Sequence, residues 1–309
     1  MFCSPLGHST WFIRKKSITG KTVGIDKNVI RVQNGYYKKH CVFCGRKDLG
    51  KMSELAVLKR RIMKLESMLE VMYDELVTNK LFCPLCENEV RIFLPTDGGG
   101  AVLRRNAVCP VCDSDERTRM IYTIWQERKI FNTNKKIKLL HIAPEKQLVD
   151  KFNKMENIQY YACDLNKDMY GVEYQVDITD IPFEENMFDV IMCSNVIEHV
   201  QEDRHAMEEL YRVLKKGGIA FIDVPVFYDL EKTLENLEGI NTPELQKKVY
   251  GWEGHVRKYG RDYKQRLESV GFQVEEITIK EIEEKYARKI GVLGNDLSLN
   301  YRIHLCRKL

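Results

Sequence analysis

No stretch of this 309-residue chain reaches the roughly 18 uninterrupted apolar residues of a transmembrane helix. A membrane span is therefore not expected, and the chain reads as a soluble protein. An apolar h-region after Met1 is missing as well, so export is not expected and the compartment is read as a reducing cytoplasm. Disulfide pairing of the ten cysteines is then disfavoured. Net charge is small, +4, and hydrophobic residues make up 44% of the chain, enough over this length to bury a full core and smaller appendages.

The small net charge hides an uneven distribution. Residues 1–135 hold 24 Lys and Arg against 14 Asp and Glu, whereas residues 136–309 hold 25 against 31. The basic excess is concentrated in residues 1–50, where Arg14, Lys15, Lys16, Lys38 and Lys39 are interleaved with Trp11, Phe12, Tyr36 and Tyr37. Such a segment suits phosphate contacts and base stacking, so nucleic acid is a candidate partner. A solvated basic arm has the same composition.

The cysteines that are present carry the most specific pattern. Cys83-Pro84-Leu85-Cys86 and Cys109-Pro110-Val111-Cys112 are two CxxC turns separated by 22 residues. Each turn presents two sulfurs to one point, and an intervening hairpin can bring the second turn over the first, closing a tetrahedron of thiolates round Zn²⁺. Four cysteine ligands leave no position for water, so this zinc is expected to be structural. A third pair, Cys41 and Cys44, could join Cys3 and His8 in a second zinc site or remain unligated.

Residues 55–76 place Leu55, Leu58, Ile62, Leu65, Leu69, Met72 and Leu76 at alternating spacings of three and four. This is a heptad seam, which fits a coiled-coil homodimer or one amphipathic helix laid on a core. In a parallel pair Arg61 would face Glu66 of the partner helix.

From Lys138 onward short apolar runs alternate with helical patterns. Strands are expected over 138–142, 159–163, a short run reaching Asp177, 188–194, 218–224, 272–279 and 300–307, with helices over 145–154 and 202–214. The second helix should end at the Lys215-Lys216-Gly217-Gly218 run. Alternation at this interval implies parallel pairing with right-handed crossovers, and ligands of such sheets bind at the carboxyl ends of the central strands. Asp164 falls at the tip of the second strand, where a carboxylate can accept from ribose hydroxyls; a turn aspartate is the alternative.

The runs LLHIAPEKQL, YYACDL, VDITDIPF, FDVIMCSNVIEHV, ELYRVLKKGGIAFIDVP and HVRKYGRDYKQRLESVGF, in that order, resemble class I S-adenosylmethionine-dependent methyltransferases of the type 11 kind. The narrower resemblance is to a bacterial group in which a CPxC…CPxC zinc ribbon precedes the sequence HIAPE, and it covers about residues 82–309. It implies an α/β fold, a Rossmann-like seven-stranded methyltransferase sheet, preceded by a small zinc ribbon and a coiled-coil helix. The corresponding domains are a basic segment 1–50, a heptad helix 51–80, a zinc ribbon 81–115 and a methyltransferase domain 116–309.

The resemblance implies S-adenosylmethionine as cofactor, contacted by His141, Ala143, Pro144, Glu145, Asp164, Leu165, Asp177, Ile178 and Asn195. Asp177 and Ile178 would hold the adenine. The first turn departs from the broad family, which has a glycine cluster there: Ala143 keeps it small, but Pro144 removes a backbone donor. His141 also reads as a buried, hydrogen-bonded strand histidine. His199 and His255 are the candidate bases, needed only if an acceptor must lose a proton; helix packing is the alternative for His199. The insertion 227–263 carries His255, Trp252, Arg257, Tyr259 and Arg261, a set suited to a sugar or an anionic acceptor, or to a simple lid. Arg104, Arg105, Arg117 and Arg119 could guide that acceptor. The resemblance favours a small-molecule or glycan hydroxyl as acceptor. An RNA base methyltransferase and a non-catalytic zinc-containing scaffold remain as alternatives.

Overall fold

The computed structural model describes residues 58, 59, 61–69, 80–96, 104–292 and 301–309. The basic segment 1–50, including Cys3, His8, Cys41 and Cys44, lies outside the described residues, as do both ends of the heptad stretch. The chain divides into two units, Met1–Glu70 and Val71–Leu309. In the first, 61–69 is helical (α1), in keeping with the three-four spacing, and Ile62, Leu65 and Leu69 are exposed.

The second unit opens with two short hairpins, β1 (Leu81–Cys83) with β2 (Asn88–Val90) and β3 (Leu94–Thr96) with β4 (Arg104–Val108). Helix α2 (Glu116–Glu127) follows, capped by Asp115, whose carboxylate accepts from the Thr118 N–H at 2.8 Å. Five strands then run parallel: β5 (Ile137–Ile142), β6 (Ile158–Asp164), β7 (Tyr174–Gln175), β8 (Phe188–Ser194) and β9 (Leu214–Asp223). Helix α3 (Lys146–Phe152) connects β5 to β6, and α4 (Asp203–Val213) connects β8 to β9. After β9 come β10 (Leu234–Glu235), α5 (Pro243–Tyr250), β11 (Arg257–Lys258), α6 (Tyr263–Ser269), β12 (Gln273–Thr278), α7 (Glu284–Lys289) and β13 (Arg302–Arg307).

The seven-stranded sheet has the order β12-β13-β9-β8-β5-β6-β7. This is the Rossmann-like methyltransferase arrangement, and it corrects the all-parallel expectation at one place. Strand β13 inserts between β9 and β12 and is antiparallel to both. The helix expected over 202–214 agrees with α4 to one residue at each end, and the second correction concerns β9, which starts at Leu214 and not at 218. The helix stops at Val213 and the fully buried Leu214 already pairs with Phe188 across the sheet. Burying Leu214 in the sheet wins over the local capping signal, and the surplus residues 215–218 form an irregularity before Ile219 pairs with Val190. Gly217, at φ +76°, takes the left-handed turn this requires.

The apolar strands bury both faces, as parallel strands must when helices cover each side. On β8, Val190 and Met192 join one cluster while Ile191 and Cys193 join the other. The first cluster also takes in Phe93 and Cys109 of the hairpin region, so the hairpins share a core with the sheet. Its centre is aromatic: Phe152 lies 5.6 Å from Trp125, 5.2 Å from Phe131 and 5.5 Å from Tyr160, ring centre to ring centre.

Phe152→Ala is expected to lower unfolding free energy by about 3–5 kcal/mol. Trp125→Phe should lose less than about 2 kcal/mol, because the buried indole N–H has no hydrogen-bond partner to forfeit. Urea unfolding of the two variants would check the ranking.

Candidate active site and thiolate cluster

The chain leaves β5 for β6 on one side and returns to β8 on the other, so connections depart in opposite directions from the carboxyl ends of β5 and β8. That divergence opens a crevice where ligands of such sheets bind. Three walls surround it.

The first wall is the turn after β5. Ala143 adopts φ +49°, a left-handed conformation that a side chain larger than methyl tolerates poorly, and its N–H donates to Cys163 O at 2.8 Å. His141 is fully buried, with Nδ1 2.8 Å from the Tyr160 hydroxyl and Nε2 2.8 Å from Glu145 Oε2. A carboxylate only accepts, so Nε2 carries the proton in the neutral ring and Nδ1 accepts from Tyr160. Burial pushes the Tyr160 phenol well up, which keeps it a donor. Both nitrogens are thus engaged inside the protein, and His141 orients Glu145 rather than offering a free nitrogen to a ligand. Pro144 stands between the strained Ala143 and Glu145, the residue that precedes α3.

The second wall holds the acidic tips. Asp164 ends β6, and its Oδ1 accepts from the Asn166 N–H at 2.7 Å. Leu165 beside it is 66% exposed. Asp177 Oδ1 accepts from Thr179 N–H at 2.9 Å and Thr179 Oγ1 at 2.7 Å. Those two bonds hold the Asp177 carboxyl below its usual range. Ile178 is buried. Each aspartate thus makes a local turn through one oxygen and has a second oxygen outside these bonds.

The third wall follows β8. Asn195, at φ +55°, accepts through Oδ1 from Arg117 at 2.9 Å and donates its backbone N–H to Asp223 O at 2.8 Å. Beyond it a single helical turn, Ile197–His199, carries Glu198 and His199. The insertion 227–263 returns to this turn: the Val256 N–H donates to Glu198 O at 3.0 Å, and His255 Nε2 stands 3.9 Å from Glu198 Oε1. The His199 and His255 rings meet edge to face, 4.6 Å between centres, and Trp252 lies 6.5 Å from His255. Burial pushes the Glu198 carboxyl up to about 8 and lowers His255 to about 4; His199 is lowered by burial too.

Among the described residues, both oxygens of Glu198, Oδ2 of Asp223 and the hydroxyl of Tyr301 are buried without a hydrogen-bond partner. Arg117 acts on both Tyr301 and Glu198, and Tyr301 in turn feels Asp223 and Glu145. Unpaired buried polar atoms gathered at the ends of β8, β9 and β13 fit a cradle meant for polar ligand groups. Sequence reasoning missed Asp223 and Tyr301. The strand-tip rule that picked out Asp164 would have found Asp223; Tyr301 carries no sequence signal.

Two groups assigned to acceptor contact are otherwise occupied. Arg257 is buried, donating to the carbonyls of Ile197, Val200 and Gln201 and to Glu235, and Tyr259, with no exposure, donates to Asp203 at 2.8 Å. Arg119 is likewise fully buried, donating to Ser114 O at 2.6 Å and Ile290 O at 2.7 Å with its guanidinium 3.8 Å from the Phe93 ring centre. These residues brace the fold and cannot reach an acceptor. Arg104, paired with Glu116 at 2.5 Å, is part of the same bracing.

The four sulfurs of Cys83, Cys86, Cys109 and Cys112 lie within 4.8 Å of one another. Cys83 Sγ is 3.7 Å from Cys112 Sγ, and Cys86 Sγ is 3.8 Å from Cys109 Sγ. A disulfide would need about 2.05 Å. A tetrahedron with metal–sulfur bonds of about 2.3 Å has edges of about 3.8 Å, so the spacing fits zinc.

The family model described as a methyltransferase domain matches residues 146–222. A demethylmenaquinone methyltransferase of Clavibacter sepedonicus is 45% identical over 42 residues, which span 14% of this chain and 17% of that protein. Solved structures that resemble the chain are more distant. A Bacillus halodurans C-125 protein assigned as a methyltransferase is 20% identical over 60% of this chain and 99% of its own, with a TM-score of 0.38. The [4+2]-cyclase SpnF is 17% identical over 62% of this chain and 81% of its own, TM-score 0.41. A Haemonchus contortus phosphoethanolamine N-methyltransferase is 18% identical over 60% of this chain and 52% of its own, TM-score 0.38. The matched span, 146–222, runs from the first residue of α3 through β6 and β8 into β9, so the likeness to a methyltransferase domain falls on the strands and helices that form the crevice.

The left-handed conformation of Ala143 yields a direct test. Ala143→Gly should raise unfolding free energy by about 1 kcal/mol, whereas Ala143→Val should lower it by more than about 1 kcal/mol. Thermal denaturation of both would check the opposite signs.

Proposed function

We propose that this protein methylates an oxygen of a sugar or glycan, with S-adenosylmethionine held over the carboxyl ends of β5 and β6 and a structural zinc in the thiolate cluster. The observation that carries the cofactor part is the pair of acidic tips, Asp164 and Asp177, flanking the crevice next to the tight Ala143 turn. Each aspartate keeps one oxygen outside its local turn, the first for ribose hydroxyls and the second for the adenine amino group, with Leu165 and Ile178 beside them for the apolar ring. Glu145, Pro144 and Asn195 line the path between these tips and the β8 turn, where the methionine end would lie.

When bound, the cofactor supplies an electrophilic methyl group. The protein's contribution is proximity and alignment, since an in-line displacement needs little more. A hydroxyl acceptor must also lose its proton, and His199 and His255 are the imidazoles placed beside the β8 turn to receive it. Trp252, half-buried next to His255, offers a flat apolar face of the kind that packs on a sugar ring.

The zinc would tie the β1–β2 turn to the segment that enters α2, through two ligands from each. Arg117 lies on α2 and reaches Asn195, so the metal would act on the active site through the position of that helix.

Calorimetric titration with S-adenosylmethionine and S-adenosylhomocysteine should give micromolar binding. Asp164→Ala should weaken it by at least tenfold; unchanged affinity would remove the ribose contact, and no binding by the parent protein would favour the scaffold reading. Chelation of zinc or Cys109→Ser should lower the melting temperature, because binding energy of structural zinc is folding energy, on the order of 10 kcal/mol in small zinc peptides. A melting temperature indifferent to metal would contradict the structural zinc.

A further inference from the structure

Glu198, His199 and His255 bring one carboxylate oxygen and two imidazole nitrogens within 4.8 Å of one another. We propose that these three residues bind a divalent first-row transition-metal ion, separate from the thiolate cluster, with coordination positions left open toward the crevice.

The first support is the state of Glu198. Its side chain is buried, yet neither carboxylate oxygen has a hydrogen-bond partner among the described residues. A buried carboxylate without partners is costly unless something meets its charge. The His255 ring stands at 3.9 Å, too far for a hydrogen bond, and Arg117 and Arg257 act on the carboxyl without bonding it.

The second support is how the two imidazoles are held. His199 Nδ1 lies 3.1 Å from Gly254 O, and the His255 ring is held edge to face against that of His199, 4.6 Å between centres. A carbonyl fixes the proton on the nitrogen that faces it, which leaves Nε2 of His199 with a lone pair. Metal-binding histidines are oriented in this way, by donating the non-ligating N–H to a backbone carbonyl. Gly254 adopts φ +83°, the left-handed conformation glycine takes without strain, and this turn aims its carbonyl at His199.

The spacing is compatible with one ion. Two ligand atoms each about 2.1 Å from a metal are at most about 4.2 Å apart. The 3.9 Å between His255 and Glu198 already satisfies this, and small ring rotations would draw in a pair as wide as 4.8 Å. Two nitrogens and one oxygen favour a borderline ion such as Zn²⁺, Co²⁺ or Fe²⁺ over Mg²⁺ or Ca²⁺, which prefer oxygen. Three protein ligands leave at least one position free in a four-coordinate site. Without the ion the histidines are the bases named above; with it, an acceptor hydroxyl on the ion would be positioned and acidified and would lose its proton to water. That last step rests on the methyl-transfer reading; metal binding itself does not.

Equilibrium dialysis of the full chain against buffered micromolar free Zn²⁺, followed by metal counting, tests the site without cofactor or acceptor. The parent protein should hold one zinc more per chain than His199→Ala and Glu198→Ala, with affinity for that ion reduced about 100-fold in both. His199 is exposed, so its variant should fold, which its melting curve would verify. Adding Co²⁺ in place of Zn²⁺ should give thiolate charge-transfer absorption that these two variants keep and Cys109→Ser loses. Equal zinc content in parent and His199→Ala would overturn the proposal. Failure here would leave S-adenosylmethionine binding untouched, and failure of that binding would leave this count untouched.

Discussion

The site depends on one guanidinium. Arg257 sits in the insertion after β9, and its guanidinium donates four hydrogen bonds, to the carbonyls of Ile197, Val200 and Gln201 and to the carboxylate of Glu235. The same fork therefore clamps the turn that carries Glu198 and His199 to the segment that carries His255. Arg266 completes the cluster by donating to Asp203 at 2.9 Å and to both oxygens of Glu235. Asp262 also pairs with Arg266, at 3.4 Å, so two guanidiniums are met by three carboxylates, and both guanidiniums lie 5.7 Å from the centre of the Tyr259 ring. Truncating one member would leave a buried charge uncompensated, a loss of about 3–5 kcal/mol. The cluster is rigid because its geometry is bidentate and multiply bonded, and the crevice wall inherits that rigidity.

A second constraint acts from the opposite side. Asp223, at the end of β9, accepts the backbone N–H of His304 at 2.7 Å and contacts its ring at 3.2 Å, while its backbone carbonyl accepts from Asn195. Burial opposes charge on His304, but Asp223 and Glu276 on either side of the ring raise its basicity. The antiparallel strand β13 is thus tied to the β8 and β9 tips by polar as well as apolar contacts. Its insertion between β9 and β12 brings Tyr301 to the crevice, an outcome that parallel addition at the edge would not give.

The legibility of this arrangement in the sequence follows the range of the interactions. Continuous apolar runs announced β5, β6 and β8, because burial on both faces leaves few polar residues in them. Asp164 and the four cysteines were also readable, since strand tips and CxxC turns are local geometries. The start of β9 was expected four residues late because the glycine signal is local while the burial of Leu214 is decided by Phe188 on another strand. Arg119, Arg257 and Tyr259 read as polar surface, yet their partners stand tens of residues away in sequence, up to 172 in the case of Arg119 and Gly291. No periodicity records such pairings.

Hydrogen-bond satisfaction, rather than exposure, separates the polar residues that brace from those that await a partner. Arg257, Arg266, Asp203 and Glu235 satisfy one another, so removing water from them costs little further free energy. Glu198, Asp223 and Tyr301 are as buried but incompletely satisfied, and they gather where the sheet order opens its crevice. Two of the eight left-handed non-glycine residues among the described residues, Ala143 and Asn195, lie there as well. A fold selected for stability alone would fill those positions with glycine and pair or replace those polar atoms. Their coincidence at one rim, with the bracing cluster immediately behind it, is what distinguishes a site built to receive a ligand from a loosely packed edge of the sheet.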